Sequence, residues 1–362
     1  MPTPFESFIE TRVKPRIQVA LAPAQNAIHS LLLLTEAEKL SGLSEWVVET
    51  ANKLSPEEMK KHYWVMVGFY YAIMPTRAWD SFPAYLNHLA TMDPEDLRNK
   101  LLQVYSELPV KSGVTDILDA KAALTSEDNY IAFLRQRYDD THIDEELERW
   151  AYSYIIDPPA MQELIVTHLQ TYWEKYLKQE WERVLPTLQK AVEAFRNVDL
   201  NQMDNYEAAK FVLGQAVADE HWETKCNKAE GLIFVPSLHV GPYFGKFSLD
   251  NYQGFIFRAG LPDTVSAYVP ELSLADIYVR LNALADETRL QILKYISNEG
   301  EACSTEIIDA LDLSQSAASR HLTQLTAIGY LTARRIESAK CYRLDKERIG
   351  NTFDTIKSYL RI

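Results

Sequence analysis

The sequence predicts a mainly α chain with small β elements (α+β): a helical N-terminal domain with a small β-sheet, then a compact unit of helices and a two-stranded ribbon. Three observations predict it. Apolar residues recur at helical spacing behind Ser, Asp and Pro start signals from Ala24 to Val217. Short apolar runs broken by Gly, Pro and Asn replace that pattern from Gly231 to Arg258. Helical periodicity then returns and stops at Gly329, after which two β-rich runs flank a polar turn.

Arg16 to Ala22 reads as a strand stopped by Pro23, and Ala24 to Glu36 as the first helix. Leu43 to Leu54 is the second. Ser55 to Glu58 caps a third that runs to about Ile73, with Pro56 at the first helical position, where its missing N–H costs nothing. Further helices are expected at Phe82 to Met92, at Pro94 to Glu107 behind Asp93, at Ser126 to Tyr138 and at about Ile143 to Ile156. Pro158 to Phe195 is long and rich in aromatics, with Pro186 marking a kink or a break. Tyr206 to Val217 follows. Gly231 to Pro236, Tyr243 to Leu249 and Gly254 to Arg258 read as a small sheet that the strand near Val19 can join, and Leu261 to Leu272 as a linker.

In the last ninety or so residues, Asp286 is an N-cap with Glu287 in the first turn, and Leu290, Ile292, Leu293 and Ile296 are expected to supply the core. Ser304 caps Thr305 to Leu311. Ser314 caps a helix whose apolar row is Ala318, Leu322 and Leu325. Tyr330 to Arg335 and Cys341 to Leu344 are strands around the turn Glu337 to Lys340. A helix-turn-helix followed by such a ribbon is a winged helix-turn-helix. The chain is thus divided into 1–270, an effector-binding or dimerisation domain, and 274–362, the winged helix.

Charge gives the winged helix its partner. The chain carries 37 basic and 51 acidic side chains. From Asp276 onward the two balance at 12 each, so the whole excess of −14 belongs to the first 275 residues, which should repel DNA. Between Ser314 and Arg343 the cations Arg320, Arg334, Arg335, Lys340 and Arg343 face Glu337 alone. That is the footprint of phosphate contact. The helix after Ser314 carries Gln315, Ser316, Ser319, Arg320 and His321 and no carboxylate, side chains suited to base edges and nearby phosphates. Arg334, Arg335, Lys340 and Arg343 are expected on wing-side backbone or minor groove. The partner expected from this surface is double-stranded DNA.

Leu284 to Leu293 (LADETRLQIL) resembles the opening signature of the ArsR-type winged helix-turn-helix regulators, and Leu313 to Leu322 (LSQSAASRHL) resembles their recognition helix. The resemblance covers roughly residues 274 to 361 and implies a homodimeric, sequence-specific DNA-binding regulator, often a repressor released by a signal. The C-terminal stripe Ile349, Phe353, Ile356 and Leu360 could be the dimer seam that it implies. Metal-sensing members carry a Cys-x-Cys box where this chain has Glu301 to Thr305 with Cys303 alone, and His and carboxylates on a C-terminal helix that here, at Asn351 to Leu360, has no His. No metal site and no cofactor are expected.

The remaining features take their bland readings. Gly241 to Lys246 is one residue short of a phosphate loop and reads as a turn. Asp219 to Cys226 reads as a solvated helix end rather than a metal cluster, and His239 as structural or exposed. Three well-separated cysteines indicate a reducing cytoplasm, with Cys303 and Cys341 as ordinary buried thiols rather than a redox pair. Aromatics crowding Tyr63 to Trp181 read as core before ligand cavity. No signal peptide and no membrane span are expected; the longest apolar run, Val65 to Met74, is half a span. No catalytic motif stands out, so the chain is read as a non-enzyme regulator with a small-molecule effector or a dimer-setting N-terminal domain. An N-terminal enzyme fused to a regulator and a ligand-free scaffold are the rivals.

Overall fold

The computed structural model describes residues 16–40, 42–138, 143–196, 198–213, 224, 226–249, 252–259, 274–336 and 339–360. It is mainly helical with two small sheets. Strand β1 (Ile17–Val19) leads into α1 (Pro23–Leu34), α2 (Glu45–Asn52), α3 (Pro56–Gly68) and the short α4 (Tyr70–Ile73). Then come α5 (Phe82–Thr91), α6 (Pro94–Glu107), α7 (Ala120–Ala123), α8 (Glu127–Arg135) and α9 (Glu145–Ile155). Ser44, Ser81, Asp93, Ser126 and Asp144 each accept a backbone N–H at a helix start, and Ser55 forms a reciprocal pair with Glu58.

The long aromatic stretch resolves into α10 (Pro158–Tyr172), a π-helical turn (Trp173–Leu177) and α11 (Lys178–Arg196). The expected break at Pro186 does not occur. Pro186 and Glu182, whose carbonyl loses its N–H donor, both lie on the exposed side of α11, where water can replace the missing bond. The irregularity sits instead at Trp173–Leu177. The third helix likewise ends at Gly68, five residues short of Ile73, where it packs on Leu147.

After α12 (Asn205–Leu213), β2 (Gly231–Ser237), β3 (Gly245–Leu249) and β4 (Tyr252–Arg258) build a sheet of order β1-β2-β4-β3, parallel except for the edge strand β3. Residues 214–217 of the expected helix, the 219–223 cluster and the 261–272 linker lie outside the described residues. Ile233, Val235 and Ile256 join the large helical core, whereas Leu232, Phe234, Phe255 and Phe257 pack with Phe195 and Ala208 on the other face. Burial on both faces explains why β2 reads as a continuous apolar run. Gly241 has φ 58°, and a Cβ there would strike the Gly42 carbonyl, so the chain turns tightly at Gly241 and Pro242, while Gly245 and Lys246 already belong to β3.

A separate hydrophobic cluster is built from residues 283–342. Its elements are α13 (Leu274–Leu284), α14 (Glu287–Glu299), β5 (Ala302–Cys303), α15 (Ser304–Leu311), α16 (Gln315–Ala327), β6 (Leu331–Ile336), β7 (Ala339–Leu344) and α17 (Lys346–Leu360). Ser304 is the first helical residue of α15, not its cap; Cys303 precedes it, its N–H held by Glu306. Among the described residues no helix is long and apolar enough to cross a membrane.

Candidate nucleic-acid interface

The helix-turn-helix pivots on Asp312, which adopts left-handed backbone (φ 50°, ψ 47°) between α15 and Leu313. Ser314 then accepts the Ala317 N–H at 3.2 Å and starts α16. The helix ends in a Schellman pair: Tyr330 N–H to Leu325 C=O at 2.9 Å and Gly329 N–H to Thr326 C=O at 3.0 Å, with Gly329 at φ 84°. Tyr330 is fully buried, its hydroxyl 3.2 Å from both the Arg280 carbonyl and Thr352 Oγ1. The start of the wing is thereby fixed to α13 and α17.

Ala318, Leu322 and Leu325 are buried as their spacing requires, and Gln315, Ser316, Ser319 and Arg320 are exposed on one side of α16. His321 differs. It is half-buried, with Nδ1 3.8 Å from Asp286 Oδ1, and burial is the main cause that lowers its pKa. With Arg320 and Gln324 it borders a recess of about 380 Å³ closed on its far side by residues 37–40, just past α1.

The wing separates its cations by face. Arg335 and Lys340 stand directly opposite each other on β6 and β7, both exposed. Together they concentrate positive charge on that face of the ribbon, with Lys340 also over the Tyr342 ring. Arg343 is exposed on the other face, which it shares with Arg334. Arg334 is engaged by Glu301 through two hydrogen bonds of 2.6 and 2.5 Å, which hold the Glu301 carboxyl below its ordinary range. The structure therefore brings eight of the nine expected residues to an exposed surface and ties one of those eight, Arg334, into an ion pair.

Beneath this surface, a charged residue takes a place that hydrophobicity would give to its neighbour. Leu290, expected in the core, is 49% exposed, and Arg289 is buried instead. Its guanidinium donates to the carbonyls of Asn282 and Ala283 at 2.6 Å and to Gln324 Oε1 at 2.7 Å, so it caps the C-terminus of α13 and grips α16. The phase is visible in the sequence: 289, 292, 293 and 296 follow the i, i+3, i+4, i+7 rule and 290 does not.

A second departure concerns sulfur. Cys303 and Cys341, expected as separate thiols, face each other across the β5–β7 pair and are disulfide-bonded. Their 38-residue separation gives no hint that β5 pairs with the wing. Cys226 is buried and free, its thiol pushed up to about 11 by burial. Among the described residues no three His, Cys, Asp or Glu groups are placed to hold a metal.

His239 is buried, bridging Ser30 Oγ at 2.7 Å and Glu180 Oε1 at 3.0 Å, with Trp46 stacked on its ring. Burial pushes the Glu180 carboxyl up, but hydrogen bonds from His239 and Arg183 outweigh it and hold the group below its usual range.

The family model described as bacterial regulatory protein, arsR family, matches residues 286–333. The chain is 47% identical over 64 residues to an arsenic resistance transcriptional regulator, ArsR1, of Pseudomonas putida, covering 18% of this chain and 50% of that protein. It is 46% identical over 61 residues to the arsenical resistance operon repressor of Escherichia coli, covering 17% and 52%. It is 36% identical over 90 residues to an uncharacterized HTH-type transcriptional regulator, YbzH, of Bacillus subtilis, covering 21% of this chain and 90% of that protein. The chain thus spans about half the length of the first two relatives and nearly all of the third.

Proposed function

The chain belongs to the arsR family of bacterial regulatory proteins, and on that premise we propose that it is a sequence-specific transcriptional repressor acting on operator DNA as a homodimer. One observation carries the reading. A helix capped by Ser314 presents Gln315, Ser316, Ser319 and Arg320 without a carboxylate, beside a wing that holds Arg335 against Lys340, in a chain whose remainder is strongly acidic. Gln315, Ser316, Ser319, Arg320 and the edge of His321 meet bases and adjacent phosphates; Arg335, Lys340, Arg343 and, once freed from Glu301, Arg334 meet backbone or minor groove.

Dimerisation is supported by apolar side chains left outside the core. Tyr278 (67% exposed) and Leu281 on α13 and Phe353 on α17 are exposed on two helices that pack together. Ile349 packs against the winged-helix core, so only part of the C-terminal stripe is free for a second copy. Two recognition helices related by a two-fold axis would enter major grooves about 10 base pairs apart. In this reading residues 1–270 are the sensing or dimer-setting domain for a non-metal ligand and 274–362 the reader, and the protein works in the cytoplasm with its DNA.

Arg320→Ala is expected to cut the discrimination between operator and random DNA by about 1–3 kcal/mol, because a guanidinium on a base edge carries sequence information. Lys340→Ala is expected to weaken all sequences alike and, by removing one phosphate contact from each copy of the dimer, to reduce the salt slope by about two units. Quantitative binding of both variants to both DNAs checks this; the same loss profile for the two would remove the division between base reader and phosphate holder.

A further inference from the structure

A cleft of about 460 Å³ opens between α3, α10 and the π-helical turn. Its floor is one stripe of α10, where Leu164, Thr167, His168 and Thr171 recur at helical spacing, and Tyr154, Tyr172 and Tyr176 wall it. Glu58 and Glu163 oppose Lys61 and Lys175, so the lining is neutral, and Lys175 is engaged by Glu58 at 3.6 Å and by the Tyr176 ring. The π-helical turn delivers Tyr176 to the rim; such turns are concentrated at functional sites because they re-aim side chains.

The polar group in this cleft has a defined hydrogen-bonding sense. The Leu31 carbonyl, in the last turn of α1, lies 2.9 Å from His62 Nε2. A carbonyl only accepts, so His62 carries its proton on Nε2 and its Nδ1 is an acceptor. His168 Nε2, 2.9 Å from that Nδ1, must then donate. Burial keeps both rings neutral at neutral pH, His62 held down to about 4 and His168 to about 3. A neutral imidazole has one N–H. His168, only 7% exposed, is left with Nδ1 as a lone-pair acceptor that makes no hydrogen bond within the described residues.

We propose that the cleft binds a neutral aromatic compound bearing an O–H or N–H donor, which hydrogen-bonds to His168 Nδ1 and packs against the tyrosine walls. It is the effector site of the regulator, and in that respect rests on the reading above. A ligand offering only acceptors would force the His168 proton onto Nδ1 and set two lone pairs against each other between the rings. The hydrogen-bonded chain ends on α1, and the segment after α1, residues 37–40, borders the recess beside Arg320 and His321. Occupancy therefore has a short physical route to the recognition helix.

Calorimetric titration of the intact chain with 2-naphthol and with 2-methoxynaphthalene, which lacks the donor, tests the site. The naphthol is expected to bind once per chain and the ether roughly tenfold more weakly, the worth of one hydrogen bond. Thr167→Trp, which fills the cleft from an exposed position on α10, is expected to abolish both without changing the melting temperature or DNA affinity. His168→Phe is expected to bring the naphthol down to the affinity of the ether. Naphthol is further expected to change operator affinity in the native chain and not in Thr167→Trp. No binding of either probe, equal binding of both, or binding that survives Thr167→Trp overturns the site; binding without effect on operator affinity overturns its role as effector site. Absence of operator binding before any probe is added would strike the regulator reading instead and leave the titration to be judged by itself.

Discussion

Lowering the pH from 6.5 to 4 is expected to remove at least about 3 kcal/mol from the stability of the helical N-terminal part. His62 is fully buried and its pKa falls from 6.5 to about 4 because burial penalises the imidazolium. The unfolded chain binds a proton near pH 6.5 and the folded one does not until about pH 4, so stability is complete above 6.5 and declines as pH falls through that window. A tenfold difference in proton affinity between the folded and unfolded chain is worth about 1.4 kcal/mol, so His62 supplies somewhat under about 3 kcal/mol across this window. His29, held down to about 4 by burial and then by His239, supplies a similar amount. Together they are a large part of the roughly 5–15 kcal/mol that holds a typical domain folded. His168, taken down to about 3 by burial first and then by His62 and Lys61, acts in the same direction. Urea unfolding at pH 7, 5.5 and 4.5 reads the effect net of Glu148, whose carboxyl burial pushes up to about 7 and which therefore works in the opposite direction over this range. With Glu148→Gln as the reference chain, which removes the opposing carboxyl, His168→Phe should flatten part of the effect; a midpoint independent of pH between 7 and 4.5 in that reference chain would show that these rings do not resist protonation.

Arg289→Met is expected to cost about 3 kcal/mol, chiefly in the C-terminal unit. Three acceptors depend on this guanidinium: the Asn282 and Ala283 carbonyls at the end of α13 and Gln324 Oε1 on α16. Methionine keeps most of the volume and none of the donors, leaving buried acceptors unsatisfied at about 1–3 kcal/mol each, less what water and relaxation recover. DNA affinity should fall with stability, because Gln324 sits on the same helix as the base-facing residues. Denaturant unfolding of the variant checks it, and a loss below 1 kcal/mol would mean that Arg289 is not the clamp of this unit.

Arg289 also marks where the legibility of the sequence ends. Ser314, Ala318, Leu322, Leu325 and Gly329 are readable because caps and helical period are local, and the structure keeps each in its expected role. Arg289 puts a charged residue in an apolar phase, so hydrophobicity selects its neighbour Leu290, although period alone points to 289. The sheet strands are readable from runs and punctuation, as is the joining of the strand near Val19 to that sheet, but its place beside β2 is not. The disulfide is not, because pairing Cys303 with Cys341 requires knowing that a two-residue strand joins the wing. Nor is the cleft, since His62 and His168 lie 106 residues apart and meet only when α3 packs on α10. His321, by its place after Arg320, suggests an outward side chain, but one more residue of rotation turns it toward Asp286.

The central claim, that α16 and the wing read operator DNA in an otherwise acidic chain, is tested most directly by the affinity of the intact protein for its own promoter fragment and for random DNA across a salt series. A dimer presenting Arg335, Lys340 and Arg343 from each copy should give a slope of log affinity against log salt of about −5 and prefer the operator by about a thousandfold or more. Weak binding without preference between the two DNAs, or affinity indifferent to salt, would contradict it.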